Sequence, residues 1–196
     1  MGKIFYLIGK SCTGKNTIYE RLLQDSGLTL CRYLIYTTRP AREGEKEGRE
    51  YYFVRQEKLE ELNRLGCVIE KRDYPSVHGI WTYFTAEEGQ TDLAKHSYLG
   101  IGTLDSYRKL SDFYGSDHIC PVYVEVENGE RLSRALEREK RRSSPDYSEM
   151  CRRYLADEKD FCEENIRKAG ITKRFFNENL DECTKIISSY IKKQLS

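Results

Sequence analysis

GKSCTGKNT, residues 9–17, is the stretch from which the rest of the chain is read. Gly9, Gly14 and Lys15 satisfy the spacing GxxxxGK[ST]. In that pattern glycines let successive backbone N–H groups turn toward a phosphate chain while the lysine reaches its terminal oxygens. The closing hydroxyl of the pattern is replaced by Asn16, with Thr17 beside it. KIFYLIG, residues 3–9, is a short apolar run ending at the loop. NTIYERLLQD, residues 16–25, carries Ile18, Leu22 and Leu23 at helical spacing. Strand, loop and helix in that order aim the loop amides and the positive end of a helix dipole at one anion. The candidate phosphate-binding residues are therefore Gly9, Lys10, Ser11, Cys12, Thr13, Gly14, Lys15, Asn16 and Thr17. The Asn16 amide oxygen and the Thr17 hydroxyl are the candidate magnesium ligands, since magnesium keeps much of its shell on substrate phosphates and water.

Further along, LCRYLIY (30–36), YLGIG (98–102), ICPVYVEV (119–126) and ITKRFF (171–176) read as buried strands, and NLDECTKIISSYIKKQ (179–194) as a closing helix. Strands alternating with helices imply a parallel sheet covered on both faces, with ligands at the strand ends. The expected fold is α/β: a P-loop three-layer sandwich on one domain, 1–196. Its core is drawn from 1–34, 96–126 and 169–196, with a small mixed β insertion at 35–95 and a helical lid at 127–168.

The 196 residues carry 33 Lys and Arg against 32 Asp and Glu, so net charge gives no whole-surface argument for nucleic acid or anionic membrane. Seven scattered cysteines without CxxC pairs argue against a disulfide framework or structural zinc and for a reducing, cytoplasmic setting. The apolar run 3–9 passes straight into the loop, so no signal peptide is expected, and no apolar run approaches 18 residues. His78, His96 and His118 lack ligand spacing and read as surface or packing residues.

RYLIYTTRPAREGEKEGREYYF, residues 32–53, leaves a strand and delivers Arg39, Arg42 and Tyr51 into a loop rich in charge and turn residues, where guanidinium forks can converge on a phosphate. The segment resembles the guanylate kinases, whose pattern TTRxxRxGExxGxxYxF is met at Thr37, Thr38, Arg39, Arg42, Gly44, Glu45, Gly48, Tyr51 and Phe53. The resemblance implies phosphoryl transfer from ATP, with magnesium, to GMP or dGMP. Arg39, Arg42 and Tyr51 would hold the acceptor phosphate, and Glu70, Tyr83 and Thr85 would complete its pocket. Trp81 competes with Tyr83, because the interval from Glu70 to Thr85 is longer than the family pattern. Two departures weaken base recognition: the family's serine before TTR falls on Ile35, and its third-strand aspartates fall on Gly100 and Gly102. Thr37, Thr38 and Thr103 are candidate substitutes.

On one helix, Arg131, Arg134, Arg138, Arg141 and Arg142 would share a face and form an anion clamp. The bland alternative is a solvated face with i,i+4 pairs from Glu127, Glu130 and Glu137. The family's lid pattern matches Arg134, Arg138 and either Arg152 or Arg153, so Lys15, Arg134, Arg138, Arg152 and Arg153 form the catalytic set implied by the resemblance. No general base is required, because a phosphate monoester is largely ionised near neutral pH. Two other readings stand beside this one: a small kinase acting on a phosphorylated sugar, and a binding module that keeps the fold without the chemistry.

Overall fold

The computed structural model describes residues 2–76 and 79–195; His78, Met1 and Ser196 lie outside the described residues. In chain order the elements are β1 (Ile4–Ile8), α1 (Lys15–Gln24), β2 (Leu30–Arg32), β3 (Tyr36–Thr37), β4 (Tyr52–Phe53), α2 (Gln56–Arg64), β5 (Val68–Ser76) and β6 (Gly79–Ala86). They continue with β7 (Ser97–Ile101), α3 (Leu104–Tyr114), β8 (Ile119–Glu125), α4 (Asn128–Lys140), α5 (Tyr147–Asp160), α6 (Glu163–Lys168), β9 (Arg174–Phe176) and α7 (Leu180–Leu195).

The central sheet is parallel, in the order β2-β7-β1-β8-β9. β1 pairs on both sides and is buried at every position, as expected of a strand covered on both faces. Its side chains alternate between two cores. Phe5 and Leu7 pack with Ile18, Leu22, Val122, Ile187 and Ile191 against α1 and α7, whereas Ile4, Tyr6 and Ile8 pack with Tyr107, Leu110, Phe161 and Ile166 against α3 and the lid. Burying each such side chain contributes about 1.5–3 kcal/mol, so β1 is the stiffest place from which to suspend the phosphate loop.

The insertion folds as a second, mixed sheet in the order β4-β3-β6-β5, with its own core of Tyr36, Leu59, Leu62, Phe84 and Ala86 under α2. Here the structure corrects the expectation of one strand over 30–36. β2 ends at Arg32, and β3 begins at Tyr36 in the other sheet. The run looks continuous in sequence because Tyr33 is buried in one core and Tyr36 in another, on either side of the crossing. In the β5–β6 hairpin Glu70 faces Thr85, Arg72 faces Tyr83, and Tyr74 faces Trp81. The longer interval is thus taken up by a longer hairpin, and Tyr83 rather than Trp81 stands next to the Glu70 pair.

Residues 127–168 form three helices, with the break at SSPD that the sequence marks. α4 ends at Lys140, and SSPD (143–146) ends in Asp146, whose carboxylate accepts the Glu149 N–H and caps α5.

Candidate active site

The phosphate loop is held in a shape few side chains tolerate. Gly14, at φ 81°, precedes α1, and a Cβ there would lie 2.5 Å from the Asn177 amide nitrogen. Cys12 takes a left-handed φ of 65° without being glycine, a local cost the surrounding contacts sustain. Asn177, 2% exposed, donates through Nδ2 to the Thr13 carbonyl at 2.8 Å and pins the loop to the end of β9, while the Thr13 hydroxyl donates to the Lys10 carbonyl at 3.0 Å. No side chain caps α1, so its first-turn amides face the loop cavity.

Lys15 lies at the junction of the loop and its clefts. Its ammonium donates to the Lys10 carbonyl at 3.1 Å. Burial pushes it below the ordinary lysine range, against the opposing pull of the Asp157 carboxylate. One cleft of about 510 Å³ brings Lys15, Asn16 and Thr17 together with Arg134, Arg138 and Arg153. A second, about 520 Å³, runs from Gly9, Ser11 and Lys15 to Arg72, Thr103 and Arg108. A third, about 300 Å³, joins Asn16 to Ile35, Glu45 and Tyr51.

The lid arginines divide. Arg138 makes no hydrogen bond or ion pair among the described residues; Arg134 bonds Glu130 at 2.8 Å and reaches the Asn177 carbonyl at 3.2 Å. Arg152 and Arg153 both bind Glu149, whose carboxyl they hold down at about 2, but only Arg153 lines the cleft with Lys15. The five-arginine clamp does not form. Arg131 is 1% exposed, lies 3.7 Å from the Tyr154 ring centre, and pairs with Asp157 and Glu158; Arg141 and Arg142 fall beyond the end of α4, on Glu137 and Glu139. The Glu127 pair with Arg131 is also missing, because Glu127 caps α4 through the Glu130 N–H.

On the acceptor side Arg39 is 3% exposed and already engaged. It is bidentate to Glu45 at 2.8 and 2.9 Å, donates through Nε to the Tyr83 hydroxyl at 2.9 Å, and sits over the Tyr51 and Phe53 rings. Its guanidinium is therefore already neutralised by Glu45. The Arg42 guanidinium and the Tyr51 hydroxyl make no hydrogen bond among the described residues. Glu70 accepts from Thr85 at 2.9 Å and lies under Arg72. Of the hydroxyls offered as substitutes, Thr37 accepts the Arg39 N–H and Thr38 the Thr82 N–H of β6, while Thr103 lines the cleft and caps α3.

Three residues absent from the expected set matter. Arg72 had a signal: it is two positions from Glu70 on a strand and so on the same face. Asp157 and Asn177 had none, since their partners are far off in sequence. Asp157 Oδ2 accepts the Ser11 N–H at 2.7 Å, so a carboxylate occupies one amide of the 9–17 loop, and Glu158 pairs with Lys10 at 2.8 Å.

A profile of the guanylate kinases matches residues 1–194. A guanylate kinase of Wolbachia pipientis is 28% identical over 98% of this chain and 90% of its own length. One of Neisseria gonorrhoeae is 40% identical over 53% of this chain and 48% of its own. The crystal structure of guanylate kinase from Anaplasma phagocytophilum superposes with a TM-score of 0.67 at 23% identity, covering 100% of this chain and 87% of that one, and shows the same fold. The chain belongs to the guanylate kinase family.

Proposed function

We propose that the protein transfers the terminal phosphoryl group of ATP to the phosphate of GMP or dGMP, giving ADP and the nucleoside diphosphate. The observation that carries this reading is the position of Lys15. It lines both the cleft that holds Arg138 and Arg153 and the cleft that reaches Arg72 of the second sheet, and its neighbour Asn16 lines the cleft of Glu45 and Tyr51, so two phosphorylated molecules can meet beside one ammonium. Phosphoryl transfer is catalysed by positioning and by neutralising charge on the transferred group, and arginines on a movable lid suit that role. In this reading Lys15, Arg134, Arg138 and Arg153 act on the transferred phosphoryl. Arg152 lies outside the cleft and shares the Glu149 carboxylate with Arg153. Residues 9–17 hold ATP, and Arg39, Arg42, Tyr51 and Tyr83 hold the acceptor phosphate. Closure of 127–168 over the core excludes water.

Asn16 and Thr17 fit magnesium. Both are exposed oxygen-bearing side chains without a hydrogen bond among the described residues, at the helix start beside Lys15. When bound, the ion would neutralise charge on the phosphates that Lys15 and the lid arginines also contact. All seven cysteines are free, which supports a cytoplasmic setting; no described helix is long and apolar enough to cross a membrane.

The test is ADP release by purified protein with ATP and magnesium, scanned over GMP, dGMP, AMP, UMP and ribose 1,5-bisphosphate. Turnover with GMP and dGMP is the expected result. Turnover only with the sugar phosphate, or with none of them, overturns the proposal.

A further inference from the structure

The cleft that runs from the phosphate loop to the second sheet ends at Arg72, and the polarity of that end is unusual for a pocket that reads a base. The Glu70 side chain is fully enclosed, at 0% exposure, beneath the Arg72 guanidinium. Its Oε1 accepts from Thr85 Oγ1 at 2.9 Å and from Arg72 Nη2 at 3.3 Å, and its Oε2 accepts from Arg72 Nε at 3.1 Å. A molecule in the cleft reaches Arg72 and does not reach Glu70. Arg72 has five N–H donors. Two are spent on Glu70, and the only other hydrogen bond among the described residues, Nη1 to Thr103 Oγ1, is a long 3.5 Å.

The floor beside Arg72 offers no carboxylate either. A Cβ on Gly100 would lie 2.6 Å from the Tyr6 ring, and one on Gly102 would lie 2.1 Å from the Tyr6 hydroxyl. Tyr6 is 0% exposed and donates to Ser106 Oγ at 3.2 Å, so it is locked in the space a side chain at either position would need. Asp105, on this rim, pairs with Lys109 at 3.0 Å. The remaining acids of the cleft, Asp157 and Asp160, belong to α5, and Asp157 is bonded at the phosphate loop.

We propose that Arg72 is the specificity-determining residue of the acceptor site: it presents N–H donors where a carboxylate would present acceptors, and selects purines by the carbonyl at C6. The proposal rests on the nucleotide reading above and deepens it. Guanine offers O6 and N7 as adjacent acceptors, to which an arginine can donate twice, whereas adenine offers an N6 amino donor that opposes it. The 2-amino group of guanine, which an exposed carboxylate would accept, has no partner here. Hypoxanthine keeps O6 and N7 and lacks only the 2-amino group, so this pocket should treat GMP and IMP alike.

The test is the kcat/KM of the whole protein with ATP and magnesium for GMP, IMP and AMP. For the parent protein, GMP and IMP are expected within about threefold and AMP roughly 10- to 100-fold lower, the discrimination one bidentate contact gives. Arg72→Met should shrink the preference over AMP and, by uncovering Glu70, lift GMP over IMP by about tenfold. Arg72→Lys, which retains a donor, should keep GMP and IMP together. Thermal unfolding checks that Glu70 without its partner is tolerated; if Arg72→Met does not fold, the parent panel and Arg72→Lys decide. Strong preference for GMP over IMP in the parent, or ratios unmoved in a folded Arg72→Met, overturns the assignment while leaving the kinase reading intact. No turnover of any purine monophosphate by the parent overturns both.

Discussion

Replacing Asp157 by alanine should make the protein bind ATP more tightly. In the free protein Asp157 Oδ2 takes the Ser11 N–H at 2.7 Å, an amide the phosphate chain needs, and the same carboxylate faces the Lys15 ammonium. A hydrogen bond to a charged group is worth ~1.5–3 kcal/mol, and ATP must break this one before the loop can close on a phosphate. Asp157 is part-exposed, at 18%, so water takes over some of that contact once the side chain is gone. A net gain near the lower bound, about 1.4 kcal/mol, corresponds to tenfold tighter binding. The lid stays docked, because Arg131 keeps Glu158, and its contact to Asp157 is the longer one at 3.4 Å. Asp157→Asn keeps an acceptor oxygen without the charge and should fall between, at about threefold. Calorimetric titration of ATP into each variant without acceptor measures this, with ATP hydrolysis in the same samples as a second readout. Unchanged or weaker ATP binding by a folded Asp157→Ala would refute the competition argument.

Lys15→Met should abolish turnover while leaving GMP affinity nearly intact and raising the Tm of the nucleotide-free protein. The folded-state pKa of Lys15 is depressed, so the unfolded chain binds more protons between that value and the ordinary lysine range; stability is penalised below this window and recovered as pH rises through it. ATP binding should reverse the shift and take up protons within that window, as titration in buffers of different ionisation enthalpy will report. Arg42→Ala should raise KM for GMP with Tm unchanged, since its guanidinium makes no hydrogen bond among the described residues. Arg39→Ala should also lose ~1.5–3 kcal/mol in a denaturant series, because Arg39 is 3% exposed and its hydrogen bonds to Glu45 and Tyr83 go with it, while Glu45 keeps the Arg42 N–H. Gly102→Asp alone should unfold at lower temperature, with a Cβ 2.1 Å from the Tyr6 hydroxyl, and Tyr6→Val should restore it; a stable single variant would contradict the packing described.

Much of this molecule was legible in sequence because its signals are local. The strand–loop–helix unit at 3–25 needs only neighbours to be recognised, and the acceptor loop carries its pattern within residues 37–53. What escaped depends on long-range packing. Nothing within 30–36 marks the point at which the chain leaves one sheet for another, because both cores accept tyrosines there. Arg72 was open to period-two reasoning from Glu70, but its effect of covering the carboxylate depends on side-chain direction. Tyr6 reads as an ordinary strand residue until the glycines at 100 and 102 are seen to lie against it.

The lid shows most clearly why spacing alone misassigns charge. Arg131 and Arg138 are two helical turns apart on one face of α4, and a helical wheel gives them the same task. α5 packs against the first and not the second: Tyr154, Asp157 and Glu158 enclose Arg131, whereas Arg138 opens toward Lys15. A buried arginine with two carboxylates is held far more firmly than an exposed one, so Arg131 anchors the lid and Arg138 is left to meet an anion. The carboxylates that anchor Arg131 also reach the phosphate loop, Asp157 at Ser11 and Glu158 at Lys10. The contacts that hold α4 against α5 are therefore shared with the loop that must release them. On the proposed function, phosphate in the loop and movement of the lid would be coupled through this one pair of acids, which is why a substitution at Asp157 should register first in the affinity for ATP.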